Sequence, residues 1–384
     1  MSGPLPPLAL YVHMPWCVRK CPYCDFNSHA LKSARPDPAY IDALLLDFES
    51  EMPLFAGREI ETVFFGGGTP SLFGPEEYAR LLQALRRRAE FATDAEITLE
   101  ANPGTIERGR FAGYRDAGIN RVSLGAQTFS EQGLVALGRI HTADETLRAV
   151  GELRAAKLEN FNLDLMYALP NQSVEESLRD VAAACALKPR HISHYQLTLE
   201  PGTPFHARPP VLPDDDSAWL MQTECQRQLA RAGYRQYEVS AYAEDGARCR
   251  HNVNYWQFGD YLGIGAGAHG KISVELPQRI LRTVKPRQPS AYLQAVGGAA
   301  GPVGERSWVA TEQLPFEFML NALRLNEGFH SDDFAARTGL ELACIEPALR
   351  RAERRGLLEP KGASWRPSAL GRRFLNDLQG DFLA

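Results

Sequence analysis

The sequence lacks several features that would place it at once in a specialised class of protein. It has no excess of basic side chains, because 42 Lys and Arg stand against 47 Asp and Glu and give a formal net charge of −5. Dedicated nucleic-acid binders normally carry a basic excess, so this balance argues against that function. No apolar run approaches the roughly 20 residues that a membrane-spanning helix needs. Neither a nucleic-acid partner nor a membrane span is therefore predicted.

The opening residues also lack the features of a secretory signal peptide. The segment from Met1 to Pro7 has no basic region ahead of an apolar stretch. We therefore expect a cytoplasmic protein. A chain of 384 residues with 44% hydrophobic side chains can form a large core, and its length predicts two or three domains.

Cysteine is scarce and unevenly spaced. Seven cysteines are too few, and odd in number, for the disulfide framework of a small secreted protein. Three of them, Cys17, Cys21 and Cys24, form a C-x3-C-x2-C pattern, which indicates ligation of a metal or a cluster. A structural zinc site needs four ligands, so zinc would require His13 or His29 in addition. A four-iron cluster bound by three thiolates would leave one iron open to another ligand.

Short apolar segments alternate with amphipathic helical patterns over about the first 200 residues. The predicted strands are 8–13, 60–65, 96–101, 119–125, 160–166 and 191–198, with helices predicted from Pro38, from Pro75, at 144–156 and at 174–186. Six β-then-α units predict an α/β fold with a parallel sheet, either doubly wound or closed towards a barrel. Polar or glycine-rich residues follow nearly every strand, which is typical of a site at the carboxyl rim of a barrel. Open sheets also bind ligands at that edge.

The pattern changes to helices from about residue 310. Predicted helices at 312–325, 331–338, 342–355 and 368–378 indicate a small, mainly α, winged-helix-like domain. Residues 311–384 hold 10 Lys and Arg and 11 Asp and Glu, so DNA binding by this domain has little support. We divide the chain into a core at 1–275, a connecting segment at 276–310 and a C-terminal domain at 311–384.

Several sequence blocks resemble a known family. The C-x3-C-x2-C pattern after the first predicted strand is similar to the signature of the radical S-adenosylmethionine (SAM) superfamily. Within that superfamily, further blocks resemble the oxygen-independent coproporphyrinogen III oxidase family. They are Tyr11-Val-His-Met-Pro-Trp-Cys, Phe65-Gly-Gly-Gly-Thr-Pro-Ser, Leu99-Glu-Ala-Asn-Pro, Ser123-Leu-Gly-Ala-Gln-Thr-Phe and Asp164-Leu-Met-Tyr-Ala-Leu-Pro. The blocks occur in the expected order and cover about residues 8–275.

The resemblance implies a partial (β/α)6 radical-SAM barrel that holds a [4Fe–4S] cluster on Cys17, Cys21 and Cys24. The open iron would bind SAM, and reduction of the cluster would cleave SAM to a 5′-deoxyadenosyl radical. By motif position, the implied SAM contacts are Tyr11, Tyr23, Gly67, Gly68, Thr69, Glu100, Gln127, Arg139, Asp164, Thr198 and Gly267. No catalytic residue is assigned.

The chemistry of these side chains is compatible with such contacts. Glycines such as Gly67 allow close approach of a ligand, strand-end carboxylates such as Glu100 accept hydrogen bonds, and Arg139 could pair with a carboxylate. Each residue type also has an ordinary structural interpretation. A glycine can serve a tight turn, a loop acid can be solvated, and an arginine can be a surface charge.

Two departures separate this sequence from the oxidase pattern. The oxidase has a further cysteine two residues after the triplet, and Phe26 stands there in this chain. The chain also begins a few residues before its first predicted strand, so we expect the oxidase's N-terminal extension to be absent. The sequence instead resembles the shorter haem-chaperone branch of the family. The matching blocks are Cys21-Pro-Tyr-Cys-Asp-Phe-Asn-Ser and His251-Asn-Val-Asn-Tyr-Trp.

This second resemblance implies haem as a ligand and a haem-accepting respiratory protein as a partner, and it is compatible with peripheral membrane contact. His251 is the predicted haem ligand because neutral imidazole binds haem iron, and a buried structural histidine is the other interpretation. Cys249 is an alternative point of attachment.

Two further functions compete with the haem-chaperone hypothesis. One is the oxidase reaction itself, the oxidative decarboxylation of propionate chains of coproporphyrinogen III. The other is a different radical reaction on an unknown substrate. The cysteines outside these motifs, Cys185, Cys225 and Cys344, are predicted to be core residues.

Overall fold

The computed structural model describes residues 5–31, 37–104, 109–275, 279–298 and 304–383. Its strands are β1 (Leu8–Met14), β2 (Trp16–Cys17), β3 (His29–Ala30), β4 (Ile60–Gly67), β5 (Phe91–Ala101), β6 (Arg121–Gln127), β7 (Phe161–Tyr167), β8 (His191–Gln196), β9 (Arg235–Gln236), β10 (Ala241–Ala243), β11 (Asp260–Ile264), β12 (His269–Glu275), β13 (Arg279–Val284), β14 (Glu305–Trp308), β15 (Phe329–His330), β16 (Leu358–Lys361) and β17 (Ser364–Pro367). Twelve of these strands form one sheet in the order β14-β13-β12-β11-β1-β4-β5-β6-β7-β8-β10-β9.

Helices connect most of these strands. They are α1 (Asp37–Glu51), α2 (Pro75–Arg86), α3 (Phe111–Ala117), α4 (Glu131–Ala136), α5 (Ala143–Ala155), α6 (Val174–Ala186), α7 (Pro204–Ala207), α8 (Asp215–Arg231), α9 (Arg250–Trp256), α10 (Pro289–Gly297), α11 (Leu314–Ala322), α12 (Ser331–Thr338), α13 (Glu346–Arg354), α14 (Ala369–Arg373) and α15 (Leu375–Gly380). Short 3₁₀ turns lie at Met52–Leu54, Pro70–Leu72, Thr311–Gln313 and Leu342–Cys344. No helix in the described part of the chain combines the length and apolarity needed to cross a bilayer.

The centre of the sheet is parallel, as the β-then-α alternation predicts. β11, β1, β4, β5, β6, β7 and β8 pair in parallel in that order, with a helix after each of the six strands from β1 to β8. All six strands predicted from the sequence are present, with ends shifted by a few residues. The mixed α/β class is therefore confirmed.

The two faces of the parallel strands differ in chemistry because side chains alternate along a strand. Phe65 on β4 packs edge-on against Tyr78 of α2, with ring centres 4.9 Å apart, and so belongs to the apolar layer beneath the helices. On β7, Leu163 is fully buried in the same layer. Its neighbours Asn162 and Asp164 hydrogen-bond each other on the opposite face. That opposite face is polar and leads to the cavity described below.

The sheet extends beyond the units that the sequence predicted. β12, β13 and β14 add antiparallel strands beside β11, so β13 and β14, which fall within the segment assigned above as a connection, belong to the main sheet. Lys285 anchors this extension to α1, since its Nζ lies 2.6 Å from Asp47 and 2.7 Å from Glu51. All three side chains are buried, and removing one partner from such a group leaves an uncompensated charge. The domain boundaries given above stay predictions.

The C-terminal part contains helices α11 to α15 around a small sheet of order β15-β17-β16. Phe318 of α11 lies at its centre, with ring centres 5.3 Å from both Phe329 and Phe334. The same ring meets Phe258 of the main domain at 5.7 Å. The predicted mainly α architecture is confirmed, and the structure adds a β-hairpin of β16 and β17 that the sequence did not predict.

The isolated cysteines differ in burial. Cys225 is buried and Cys185 is half-buried, whereas Cys344 is exposed. The prediction of a core position for Cys344 is wrong, because this residue ends a one-turn 3₁₀ segment at the surface rather than facing a helix interface.

Candidate functional site

A cavity of about 730 Å³ opens at the carboxyl ends of the parallel strands. Parallel strands bring these ends to one edge of a sheet, where ligands are commonly bound. Twelve of the sequence-predicted residues line the cavity: Cys17, Cys21, Tyr23, Cys24, Gly67, Gly68, Thr69, Glu100, Gln127, Arg139, Asp164 and Thr198. The structure therefore brings together residues that lie up to 181 positions apart in the chain.

Two predicted SAM contacts do not line the cavity. Tyr11 lies beneath it, where its hydroxyl is 2.9 Å from Nδ1 of His13. Gly267 has φ +80°, and a Cβ there would lie 2.2 Å from Nδ2 of Asn27. Both residues thus support the walls of the cavity rather than face its interior.

The three cysteines lie in a loop between β1 and α1 and face the cavity together. Each thiol has a polar neighbour: Thr69 Oγ1 donates to Cys17 Sγ at 3.4 Å, Arg139 Nη1 donates to Cys21 Sγ at 3.8 Å, and Ser28 Oγ lies 3.9 Å from Cys24 Sγ. Burial raises the pKa of the Cys17 thiol. Donors directed at sulfur favour thiolates, the form that binds iron.

The chemistry of this loop suits an iron–sulfur cluster better than zinc. Both ring nitrogens of His13 are already engaged, one with Tyr11 and the other 2.9 Å from the Asn27 carbonyl. His29 Nε2 lies 3.2 Å from Asn27 Oδ1. Among the described residues, no three His, Cys, Asp or Glu side chains converge on one ion position. A cluster fits the three cysteines because each thiolate bonds to a different iron.

Asn27 anchors the cysteine loop to a distant part of the chain. Its Nδ2 donates to the carbonyls of Ala266 and Arg287, at 2.9 Å each. Because a side-chain amide has two N–H donors, both are used in this contact. The loop that carries the cysteines is therefore held by the segments after β11 and β13.

The glycines after β4 are required by close contacts within the protein. Gly67 has φ +115°, and a Cβ on it would lie 2.5 Å from the imidazole of His13. A Cβ on Gly68 would lie 2.6 Å from the Trp16 carbonyl. The Gly68 and Thr69 N–H groups donate to the carbonyls of Met14 and Trp16, at 2.8 and 2.7 Å. The loop after β4 therefore packs directly against the chain leading into the cysteine loop.

Two carboxyl groups face the cavity from neighbouring positions. Burial, together with the nearby Asp164 carboxylate, raises the pKa of Glu100 to about 8. Its Oε2 accepts one hydrogen bond, from the Gly67 N–H at 3.2 Å. Burial also raises the pKa of Asp164, although Asn162 and Ser123 offset this by donating to it at 2.8 and 3.0 Å. Two such acids can accept hydrogen bonds from hydroxyl or ammonium groups of a ligand.

We expect the Glu100→Gln variant to gain stability over the parent protein as pH rises from about 4.5 to 8. The raised pKa means that the folded state holds the Glu100 proton more tightly than the unfolded state does. Protonated Glu100 therefore contributes fully to the free energy of unfolding below its unfolded pKa. As pH rises from there to the folded pKa, the contribution falls by up to about 1.4 kcal/mol per pH unit. Urea unfolding of both proteins across this range, without added SAM, measures the difference. Parallel stability profiles would contradict the expectation.

A residue that the sequence did not select, Asn102, connects two predicted ones. Its Nδ2 donates to Thr69 Oγ1 at 3.0 Å, and its Oδ1 accepts from Arg139 Nη2. Arg139 Nη2 also donates to the Gly125 carbonyl at 3.0 Å. Asn102 belongs to the Leu-Glu-Ala-Asn-Pro block, so that block contained the signal that could have identified it.

Gln127 occupies an uncommon backbone conformation with φ +67°. The pairing of β6 with β7 shifts register at this point, and the side chain turns towards the cavity, where Oε1 accepts from the Tyr195 hydroxyl at 2.8 Å. A non-glycine residue held at positive φ is costly and is often found at functional sites. Tyr195, like Ser193 and Arg324, lines the cavity without having been predicted.

His251 lies away from the cavity. Its ring is 1% exposed, and Nδ1 is 2.8 Å from Thr62 Oγ1 near the start of β4. Phe64 stacks on it with ring centres 5.0 Å apart. Burial lowers the pKa of His251 to about 3, which keeps the imidazole neutral. Cys249 is also buried, and burial raises the pKa of its thiol to about 12. The assignment of His251 as an iron ligand stays a prediction, and it requires α9 to move.

Comparison with known proteins agrees with the motifs and the fold. Residues 11–182 match the family model of the Radical SAM superfamily, and residues 309–374 match that of the HemN C-terminal domain. The fold is similar to that of coproporphyrinogen III oxidase (HemN) from Escherichia coli, with a TM-score of 0.83 and 23% sequence identity. That match covers 99% of this chain and 91% of the other. The fold and the cysteine motif are those of a radical SAM protein, a class that implies a [4Fe–4S] cluster and SAM.

Relatives that match along the full chain identify the family within the radical SAM class. The chain is 50% identical to "Heme chaperone HemW" of Escherichia coli (strain K12), over 99% of each sequence. It is 46% identical to the protein of that name from Haemophilus influenzae, over 99% of this chain and 98% of the other. The chain belongs to the HemW family.

Proposed function

We propose that this protein is a haem chaperone that binds haem and passes it to an acceptor protein. The observation that carries the proposal is 50% identity, along the whole chain, to a relative named as a heme chaperone. Similarity to the oxidase is 23% and supports only a common fold. Phe26, in place of the further cysteine of the oxidase pattern, lies on the cavity wall and is 59% exposed.

In this proposal Cys17, Cys21 and Cys24 hold the cluster. The cluster supplies an open iron site for SAM and electrons for its cleavage. SAM contacts come from the other predicted residues on the cavity wall: Tyr23, Gly67, Gly68, Thr69, Glu100, Gln127, Arg139, Asp164 and Thr198. The chain's own contribution is positional, because Thr69 and Arg139 direct donors at two of the sulfurs.

We place haem in the same cavity, against the exposed ring of Phe26. An exposed aromatic ring offers surface for a face of the macrocycle, since cofactor sites commonly have apolar walls. The exposed ring of Phe26 replaces a thiol that could otherwise bind iron or a second cluster. A respiratory haem protein as acceptor, with contact at a membrane surface, stays a prediction from the sequence.

The test uses full-length protein with its cluster reconstituted without oxygen. We expect haem titration to give a saturable Soret band, and incubation with apomyoglobin to transfer that haem. Incubation with coproporphyrinogen III, SAM and a reductant is expected to leave the porphyrinogen unchanged. Formation of protoporphyrinogen, or the absence of haem binding, would overturn the proposal.

The same titration of a His251→Ala variant tests the iron-ligand assignment. A weaker or shifted Soret band in a folded variant would support coordination by His251 after movement of α9. An unchanged spectrum would exclude His251 as the ligand. Asn252→Ala, one position further along the same helix, is the matched control for damage to α9.

A further inference from the structure

The C-terminal domain contributes Arg324 to the cavity. Arg324 follows α11 and lines the cavity, where it is linked to Ser240 of the main domain through Glu238. Every other lining residue within the described chain lies at or before position 240. Arg324 therefore gives the C-terminal domain a direct contact with whatever the cavity holds.

The backbone around Arg324 is tied to the main domain. Leu325 forms an antiparallel bridge with Glu238, and the Asn326 N–H donates to the Tyr237 carbonyl at 2.9 Å. The Asn326 side chain also donates to the Gln236 carbonyl at 2.9 Å. Because these bonds hold the segment in place, the arginine is positioned before any ligand arrives, which lowers the entropic cost of binding.

Two contacts orient the guanidinium of Arg324. Nη2 donates to Glu238 Oε2 at 3.0 Å, and the guanidinium carbon lies 4.3 Å from the ring centre of Trp256. Oε1 of Glu238 accepts from the Ser240 N–H and hydroxyl, at 3.0 and 3.1 Å. Trp256 belongs to the His-Asn-Val-Asn-Tyr-Trp block, so this block has a physical connection to the cavity through Arg324.

The guanidinium retains capacity for another acceptor. An arginine has five N–H donors, and Nε of Arg324 is buried with no partner among the described residues. Buried donors of this kind are rare in folded proteins and usually find an acceptor. Nε itself is closed to solvent, but the side chain as a whole is 29% exposed where it lines the cavity.

The other arginines on the cavity wall are placed differently. Arg139 is bound by Asn102, by the Gly125 carbonyl and by Cys21 in the proposed cofactor region. Arg19 lies in the cysteine loop, after β1. Ser240 directly precedes β10. β10 pairs with β8, the last of the parallel strands. Arg324 differs from both because it pairs with Glu238, two residues before Ser240, and makes no hydrogen bond to a cysteine sulfur among the described residues.

We infer that Arg324 binds a propionate carboxylate of haem at the wall of this cavity. The inference rests on the proposed function, since haem combines an apolar macrocycle with two propionate groups. A planar guanidinium binds carboxylates through two parallel hydrogen bonds, and lysine cannot reproduce that geometry. Arg324 thus holds the polar edge of the macrocycle while apolar residues of the cavity contact its faces.

The test compares haem with haem dimethyl ester, whose propionates carry no charge. In cluster-reconstituted full-length protein, we expect haem to bind about tenfold more tightly than the ester, or more. Arg324→Gln is expected to abolish this preference, and Arg324→Lys to restore only part of it. A structural defect would weaken both ligands by the same factor, so the ratio of their dissociation constants remains informative in a destabilised variant.

Arg248→Gln is the matched control. Arg248 also pairs across the two domains, 2.8 Å from Glu327, and its guanidinium carbon lies 5.3 Å from the Tyr237 ring centre, but it does not line the cavity. We expect this variant to keep the preference for haem over the ester. An unchanged preference in Arg324→Gln, or an equal loss in Arg248→Gln, would overturn the inference while leaving haem binding intact. Absence of haem binding by the parent protein would instead overturn the proposed function and the inference together.

Discussion

Replacing Cys17, Cys21 or Cys24 by alanine is expected to abolish the [4Fe–4S] cluster in each case. Each thiolate would bond to one iron, and loss of one leaves that iron to solvent in an open cavity. Iron and sulfide analysis after anaerobic reconstitution, with the absorbance band of the cluster, measures the effect. The expected result is a fall from about one cluster per chain to almost none.

Cys344→Ala provides the control for the cluster experiment. Cys344 is exposed and lies in the C-terminal domain, so its removal should leave the iron and sulfide content unchanged. Circular dichroism would establish that the three loop variants still fold. Retention of a full cluster by any folded loop variant would contradict the assignment of that cysteine.

Gly67→Ala is expected to destabilise the protein by roughly 2–4 kcal/mol, because a φ of +115° strains any L side chain and the added methyl overlaps the ring of His13. The His13 ring cannot move aside easily, because it is buried and both of its nitrogens are hydrogen-bonded, one to Tyr11 and one to the Asn27 carbonyl. Displacing it would also loosen the cysteine loop, so we expect lower cluster occupancy. Denaturant unfolding and iron analysis provide the two measurements.

Gly57→Ala separates the contribution of backbone strain from that of the contact. Gly57 has φ +77°, but a Cβ there would have no atom within 4 Å. Its substitution should therefore cost about 1–2 kcal/mol from the backbone alone. If the two variants were equally stable and both kept the cluster, the close contact between Gly67 and His13 would have no energetic role.

The parallel core could be predicted because each of its strands and helices is specified by a pattern within a short stretch of sequence. Apolar runs such as Ile60 to Phe65 are long enough to specify a strand, and each is followed by a helical repeat. The motif blocks place their polar residues at strand ends, so the sequence alone predicts that Gly68, Glu100 and Asp164 lie on one rim. The structure brings these residues together because parallel strands share a direction.

The remaining features depend on contacts between distant parts of the chain. Lys285 would be expected at the surface, but its partners Asp47 and Glu51 lie 238 and 234 positions earlier and become its neighbours only in the folded sheet. The strands β12 to β14 pair antiparallel, so they fall outside the β-then-α alternation from which the parallel strands were predicted. Arg324 lies in another domain, where nothing in its local sequence distinguishes it from a surface arginine.

His251 shows a different limit of sequence reasoning. The His-Asn-Val-Asn-Tyr-Trp block predicts a functional segment. The motif alone does not determine at which end of the barrel its side chains lie. The same histidine could face a ligand or pack between Thr62 and Phe64, and the structure shows the second arrangement. Cys344 was misplaced for a related reason, because a short helical turn does not reveal which of its sides is covered.

The anchoring of the cysteine loop has a consequence for biosynthesis. The three cysteines are translated well before Ala266 and Arg287. Asn27, which holds their loop, needs the carbonyls of Ala266 and Arg287, and β1 needs β11 as its outer neighbour. The 260 residues that separate Asn27 from Arg287 must therefore be translated before the cysteine loop acquires its final surroundings. Local structure can form while the chain grows, but long-range pairing must wait for its partner. A segment that is translated early is thus completed late, and insertion of iron and sulfide into a finished site must wait until Arg287 has been translated.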